Sequence, residues 1–407
     1  MVARLSSSHA IPRRVTPPLF GLALFAHGFR PFFLLAGVWA VVALGLWVAY
    51  LAGANLPAGP LPMAAWHAHE MIAGFIGAAM CGFLLTAIPN WTGRTGYSGW
   101  PLVALVALYL AARLVLLPGS PVPASVAAMV ALLPLPGLLL LVLPALVAAR
   151  TPRLFGPPAV VLLFWSGDLL MLGGNAGWWT DTFAAGRLLS LDMALALVGL
   201  IGGRIVPAFT LNALRRAGTP QELVARPWID RASIIALVLN AVVDLLAPGS
   251  LAAGGIAALA AVFTLARLSG WHGRHAFDQP IVWVLHLAYL FIAVALATKA
   301  AYLLDGADWA NGWVHLQSAG AIATMILAVM TRAILGHTGR ELYAAPAIVA
   351  AYLLVPLSAL LRAFGPTLVA PSLAYLLAGL AWVAGFALYL AVFAPMLLRP
   401  RPDGNPG

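Results

Sequence analysis

Three histidines and a glutamate hold the clearest chemical potential in this chain. His67, His69 and Glu70 stand together in Trp66-His67-Ala68-His69-Glu70-Met71, and His315 stands two residues before Gln317. Each group opens a long apolar run. Ionisable or strongly coordinating side chains inside a bilayer are expensive, so they are functional candidates by default. Two neutral imidazoles on opposed helices are what an iron porphyrin needs for axial ligation. Three imidazoles with the Glu70 carboxylate equally suit copper. His67 and His69 are two residues apart, so on a helix they point about 200° apart. They cannot share one small metal unless the helix begins or unwinds between them. Either one ligates haem while the other serves a second cofactor, or one is a hydrogen-bonded spectator. The plainer reading is an interfacial cluster that bonds water and loop carbonyls.

A second polar group collects at the opposite ends of the apolar runs: His27, Arg30, Asn90, Trp91, Arg94, Arg204, Asn212, Arg332 and His337. Arg204 and Arg332 lie inside apolar runs, where an unpaired guanidinium is costly. A carboxylate, a cofactor propionate, a phosphate or helix-end carbonyls would satisfy them; snorkelling to lipid phosphates is the alternative. Asp168, Asp192, Asp244 and Lys299 are further mid-run charges, read either as a proton route or as structural ion pairs.

What must position these groups is a set of membrane helices. Hydrophobic residues fill 63% of the 407 positions, charged residues only 8%, and the mean hydropathy is +0.97. A soluble domain carries roughly a quarter charged residues, so this chain needs lipid as its solvent. The fold class is all-α integral membrane, a single transmembrane domain over 1–407. Lys and Arg number 22 against 12 acids, but they punctuate apolar runs instead of forming a surface patch, so no nucleic-acid partner is expected. The single cysteine, Cys81, excludes a disulfide framework.

A span needs about 20 apolar residues. Candidate spans run over 30–52, 66–90, 100–117, 121–149, 155–175, 186–209, 230–247, 250–269, 281–304, 313–335, 344–364 and 370–398. The fourth is interrupted by Pro134, Pro136 and Pro144. Basic residues collect on cytoplasmic loops, and twelve spans with both termini inside put nearly all the arginines on that side. Residues 1–29, with Arg4, Arg13 and Arg14, and 399–407 then become cytoplasmic tails of a bacterial inner-membrane protein. The second and tenth spans repeat one pattern. His69, Gly74 and Thr92-Gly93-Arg94 match His315, Gly320 and Thr338-Gly339-Arg340 at identical distances. The sixth span fits more loosely through Ile205-Val206-Pro207 and Thr210, which puts Arg187 in the slot of His69. Three four-helix units in pseudo-threefold order follow, with His69 and His315 at similar depth near the outer leaflet.

Four blocks resemble the NnrS family: Phe29-Arg30-Pro31-Phe32-Phe33, Trp66-His67-Ala68-His69-Glu70-Met71, Gly82-Phe83-Leu84-Leu85-Thr86-Ala87-Ile88-Pro89-Asn90-Trp91-Thr92-Gly93, and Met330-Thr331-Arg332-Ala333-Ile334-Leu335-Gly336-His337-Thr338-Gly339-Arg340. The resemblance implies a bacterial inner-membrane protein containing haem and copper, linked to nitric oxide metabolism and nitrosative stress, often beside denitrification genes. More distantly the chain is similar to the catalytic subunit of haem–copper oxidases and nitric oxide reductases. Those have a twelve-helix pseudo-threefold core with haem-ligating histidines on the second and tenth helices. The departures are large: the sixth span offers Arg204 and no histidine, and the seventh has none. Copper would be held elsewhere, by the unused histidine of the second span with Glu70, or by His27 and His337.

The leading expectation is a haem- and copper-binding membrane protein handling nitric oxide or its products. Haem would lie between the second and tenth spans, ligated by His69 or His67 and by His315, with Arg187 neutralising a propionate. Arg204 and Arg332 are further candidate propionate partners. The rival readings are a twelve-span transporter of a small anion or metal ion, and a quinol-linked oxidoreductase with a quinol or other electron donor as partner.

Overall fold

The computed structural model describes residues 22–219 and 226–404. The expected N-terminal tail, with Arg4, Arg13 and Arg14, lies almost wholly outside the described residues, as does the end of the C-terminal tail. Among the described residues no strand occurs, and twelve long helical segments alternate with short loops. They are α1 (Phe29–Leu51), α2 (Met63–Thr92), α3 (Trp100–Val115), α4 (Ala124–Ala149), α5 (Pro152–Asn175), α6 (Phe183–Arg216), α7 (Pro227–Leu246), α8 (Leu251–Leu268), α9 (Pro280–Asp305), α10 (Asp308–His337), α11 (Pro346–Thr367) and α12 (Pro371–Leu398). Ten are long and apolar enough to cross a membrane. The two that fall short are α3, with 16 residues, and α7, which carries Asp230, Arg231 and Asp244. Every span expected from the sequence has its helix.

Alternation gives the bundle two ends. The loops before α2, α4, α6, α8, α10 and α12 form the histidine end; the others, rich in arginine, form the basic end. The most apolar stretch of α2 is 83% buried inside the protein, those of α9 and α10 67% and that of α6 56%, against 39% for α1, α5, α8 and α12. The helices that open the repeats therefore sit inside, with α9, and the others present a side to lipid. The packing closes a ring. The last helix of one unit lies along the first helix of the next: α5 on α6, α9 on α10, and α1 on α2. The third unit thus consists of α10 to α12 completed by α1.

Local sequence explains the irregularities. In α4 the helix breaks at Leu132-Leu133, before Pro134. Pro136 lacks the N–H that would reach Leu132 four residues back, and the Trp165 indole donates to that freed carbonyl at 3.0 Å. Between α5 and α6 the backbones touch, because a Cβ on Gly167 would stand 2.6 Å from the Gly186 carbonyl oxygen. Small residues permit such approach where lipid offers no hydrophobic drive.

Two helices leave α geometry at one repeat position. Residues Glu70–Ile76 of α2 and Leu316–Ala323 of α10 are π-helical, starting directly after His69 and His315. Within them, Gly74 admits Trp39 of α1, and Gly320 admits Phe291 of α9. Matching glycines thus meet an aromatic ring from the matching neighbour helix. Such π segments recur at functional sites because the extra residue per turn re-aims side chains. The sixth helix runs as one uninterrupted α-helix, Phe183–Arg216.

Candidate functional site

At the histidine end a cavity of about 300 Å³ opens between α1, α2, α6, α10, α11 and α12. His67 and His315 both line it, with Arg187 and Arg362, and among the described residues no acidic side chain does. Trp47 stacks on the His67 ring, centroids 4.6 Å apart and planes 8° apart, which fixes the ring's orientation. The His67 Nδ1 is buried without a hydrogen-bond partner. Arg362 lies over the Tyr375 ring, 4.0 Å from its centroid. The remaining walls are mostly apolar, among them Leu44, Ile72, Phe75 and Trp382.

His69 faces the other way. Its Nδ1 bonds Glu70 Oε1 at 2.9 Å and its Nε2 bonds Asp168 Oδ1 at 2.8 Å. The other oxygen of Glu70 accepts from Arg113 and from the Trp39 indole, both at 2.7 Å. His69, Glu70, Arg113 and Asp168 are all buried. A neutral imidazole has one N–H and can serve only one of two carboxylate acceptors, so the group is complete with His69 as imidazolium. Two carboxylates then meet two cations. With both ring nitrogens engaged, His69 has no lone pair for a metal. His67, two residues away on the opposite side of the helix, shares the cavity with His315.

The residues considered for copper are separated by the same geometry. His67 faces the cavity while His69 and Glu70 face Asp168 and Arg113. Among the described residues no group of three or more His, Cys, Asp and Glu side chains is arranged to hold a metal ion. His27 and His337 lie at the basic end on either side of Phe29, with ring centroids 6.1 and 5.4 Å from it. Burial, and then the positive fields of His337, Arg30 and Arg401, push His27 down to about 4.

Arg204 and Arg332 line a separate cavity of about 440 Å³ at the basic end, with Asn90, Trp91 and His337. Arg332 packs over the Phe209 ring at 3.9 Å. Arg204 is 17 residues beyond Arg187 on α6, about 25 Å along the helix, so neither arginine reaches the histidine cavity. Between the two lies a small apolar cavity of about 80 Å³ that touches Ile76 on one side and Phe33, Phe83 and Ile201 on the other. Arg30, part of the same sequence group, is satisfied by helix-end carbonyls. It donates to Leu397 and Arg399 at 2.9 Å and to Met396 at 3.3 Å, capping α12.

Sequence reasoning passed over both Arg113 and Arg362. A signal existed. Arg113 and Asp244 each stand two residues before the end of α3 and α7, and Arg362 two residues before Phe364, where the α-helical part of α11 ends. The second helix of every unit therefore delivers a charge toward its inner helix. Arg267, near the end of α8, turns inward to Asp230 at 2.7 Å and to the Gly199 carbonyl and Tyr289 hydroxyl at 2.9 Å.

No curated protein matches the chain. The family model described as NnrS protein matches residues 23–401, which takes in all twelve helices and both cavity histidines. The chain belongs to the NnrS family.

Proposed function

We propose that this protein binds haem in the histidine-end cavity and acts there on nitric oxide or a closely related small molecule. Family membership supports a nitric-oxide-associated membrane protein. The observation that carries the haem reading is the convergence of His67 and His315 on one apolar cavity whose only formal charges among the described residues are Arg187 and Arg362. The donor set fits an iron porphyrin with two propionates. His67, whose buried Nδ1 has no hydrogen-bond partner, and His315 would hold the iron, and the Arg187 and Arg362 guanidiniums, which pair with no carboxylate among the described residues, would meet the propionates. Bound there, haem supplies an iron centre that binds nitric oxide and exchanges electrons. Trp47 holds the His67 plane, and the apolar walls exclude water. The adjoining small apolar cavity suits entry of a small neutral molecule. The arginine-rich basic end supports a cytoplasmic placement for that face in a bacterial inner membrane, with both termini inside. For copper, the described residues offer no group of three or more His, Cys, Asp and Glu side chains arranged to hold a metal ion.

The test is the reduced-minus-oxidised spectrum of the detergent-purified protein, made in a host supplied with haem, together with metal analysis. A haem signal that His67→Ala and His315→Ala each abolish supports the reading. Adding nitric oxide to the reduced form then separates a binder of the gas from a two-histidine electron carrier. A wild type without haem or metal overturns it. That outcome favours an anion carrier, for which Arg204 and Arg332 around the acid-free basic-end cavity are the specific observation.

A further inference from the structure

The second unit carries a buried charged cluster that the cofactor cavity does not use. It comprises Asp192 on α6, Asn240 and Asp244 on α7, Lys299 on α9 and Gln317 on α10, each at most 3% exposed. Lys299 donates to Asn240 Oδ1 at 2.8 Å and pairs with Asp244. The Asn240 amide donates to Asp192 Oδ1 and to Asp244 Oδ2, both at 3.2 Å. Gln317 Nε2 donates to Asp192 Oδ1 at 3.0 Å. Trp313 completes the surround, its ring centroid 5.1 Å from the Lys299 ammonium.

Two acceptors are left over: Asp192 Oδ2 and Gln317 Oε1 are buried and have no donor. Charge is left over too. Two carboxylates face one ammonium, and among the described residues no other cation pairs with them. From α5, which packs along α6, Asp168 is bound to His69, and Arg187 on α6 itself faces the cavity. A buried net charge and a buried unpaired acceptor are each costly.

We propose that Asp192 is a proton-binding carboxyl, with its proton on Oδ2 donated to Gln317 Oε1. A carboxylic acid and a primary amide are both planar and pair through two parallel hydrogen bonds. The first, Gln317 Nε2 to Asp192 Oδ1, is present, and the second joins the two unpartnered oxygens. One proton therefore supplies the missing donor, satisfies both acceptors and cancels the excess charge. The site stands whether or not the neighbouring cavity holds haem.

Infrared spectroscopy of the full-length protein in lipid nanodiscs between about pH 5 and pH 9 tests it. The expected result is a protonated-carboxyl stretch at neutral pH that shifts down in D2O and is lost in Asp192→Asn. Gln317→Leu should move that band to higher frequency by removing its acceptor, a readout that serves even if Asp192→Asn does not fold. Asp192→Asn supplies an amide N–H where the acid had O–H, so its unfolding temperature should hold, whereas Asp244→Asn should lower it by stripping Lys299 of its partner. A wild type without the band across that range, or a band unchanged in Asp192→Asn, overturns the proposal. A missing band together with wild-type stabilisation by sodium chloride over choline chloride, absent in Asp192→Asn, would overturn it in favour of a sodium ion between the same two oxygens.

Discussion

His67 and His69 are separated by one alanine and occupy opposite kinds of environment. His67 stacks on Trp47 at the wall of a cavity without acids, and its buried Nδ1 has no partner. His69 is locked between two carboxylates, themselves held by Arg113 and Trp39. The first keeps a buried ring nitrogen without a partner. The second is a strut that ties α2 to α5 and, through Glu70, to α3 and α1. The difference teaches that a histidine in a membrane helix is read by what satisfies its two nitrogens, not by the motif around it.

The sharpest way to break this contrast is to exchange the roles by mutation. His67→Ala should abolish haem retention while leaving the unfolding temperature close to wild type, as read by absorbance and thermal unfolding of the same preparation. His69→Ala should do the converse, keeping haem per folded molecule while costing roughly 3–5 kcal/mol, because Glu70 and Asp168 lose a charged partner. Equal loss of haem in both would erase the distinction.

Next in size is the strut itself. Arg113→Met should destabilise by about 3–5 kcal/mol in denaturant unfolding, since it strands Glu70. Combining it with Glu70→Gln should recover part of that loss, the non-additivity expected of neighbours in one network. An additive double mutant would show that the pair is not coupled. A smaller effect falls on the cavity. Arg187→Gln and Arg362→Gln should each weaken haem binding about tenfold, or ~1.4 kcal/mol, in a titration of apoprotein with haem, without altering the unfolding temperature of the haem-free protein.

The smallest effect comes from a third kind of histidine, at the basic end outside the spans. His27 is held down at about 4 from its ordinary 6.5 by burial and by positive neighbours. Folding therefore excludes a proton from it, so stability is whole above about pH 6.5 and declines as pH falls toward about 4. His27→Gln should flatten that acid limb of the stability profile while leaving the neutral plateau unchanged.

Much of the architecture was legible because it rests on one-dimensional patterns. Apolar run lengths marked all twelve helices, and the paired prolines marked the break in α4. The recurrence of His69, Gly74 and Thr92 as His315, Gly320 and Thr338 marked α2 and α10 as counterparts. The site was legible only in its composition. The repeat aligned His69 with His315, yet His315 shares its cavity with His67. The match holds in register and in the π segments that follow, but the chains around each helix differ. Asp168 on α5 captures His69, while His315 lines the cavity, where among the described residues no acid meets it.

The sequence by itself determined that this chain lives in lipid, that its helices repeat in fours, and that His67 and His69 cannot point the same way. Helical periodicity and the cost of burying polar groups in hydrocarbon act locally, so residue order suffices to read them. Only the tertiary structure decided which histidine is free, which arginines reach it, and that Arg204 and Arg332 belong to a different cavity. Those outcomes depend on partners up to a hundred or more residues away, such as Asp168 for His69 and Gln317 for Asp192. A hydrogen bond is fixed by distances of a few ångströms between side chains that only packing brings together.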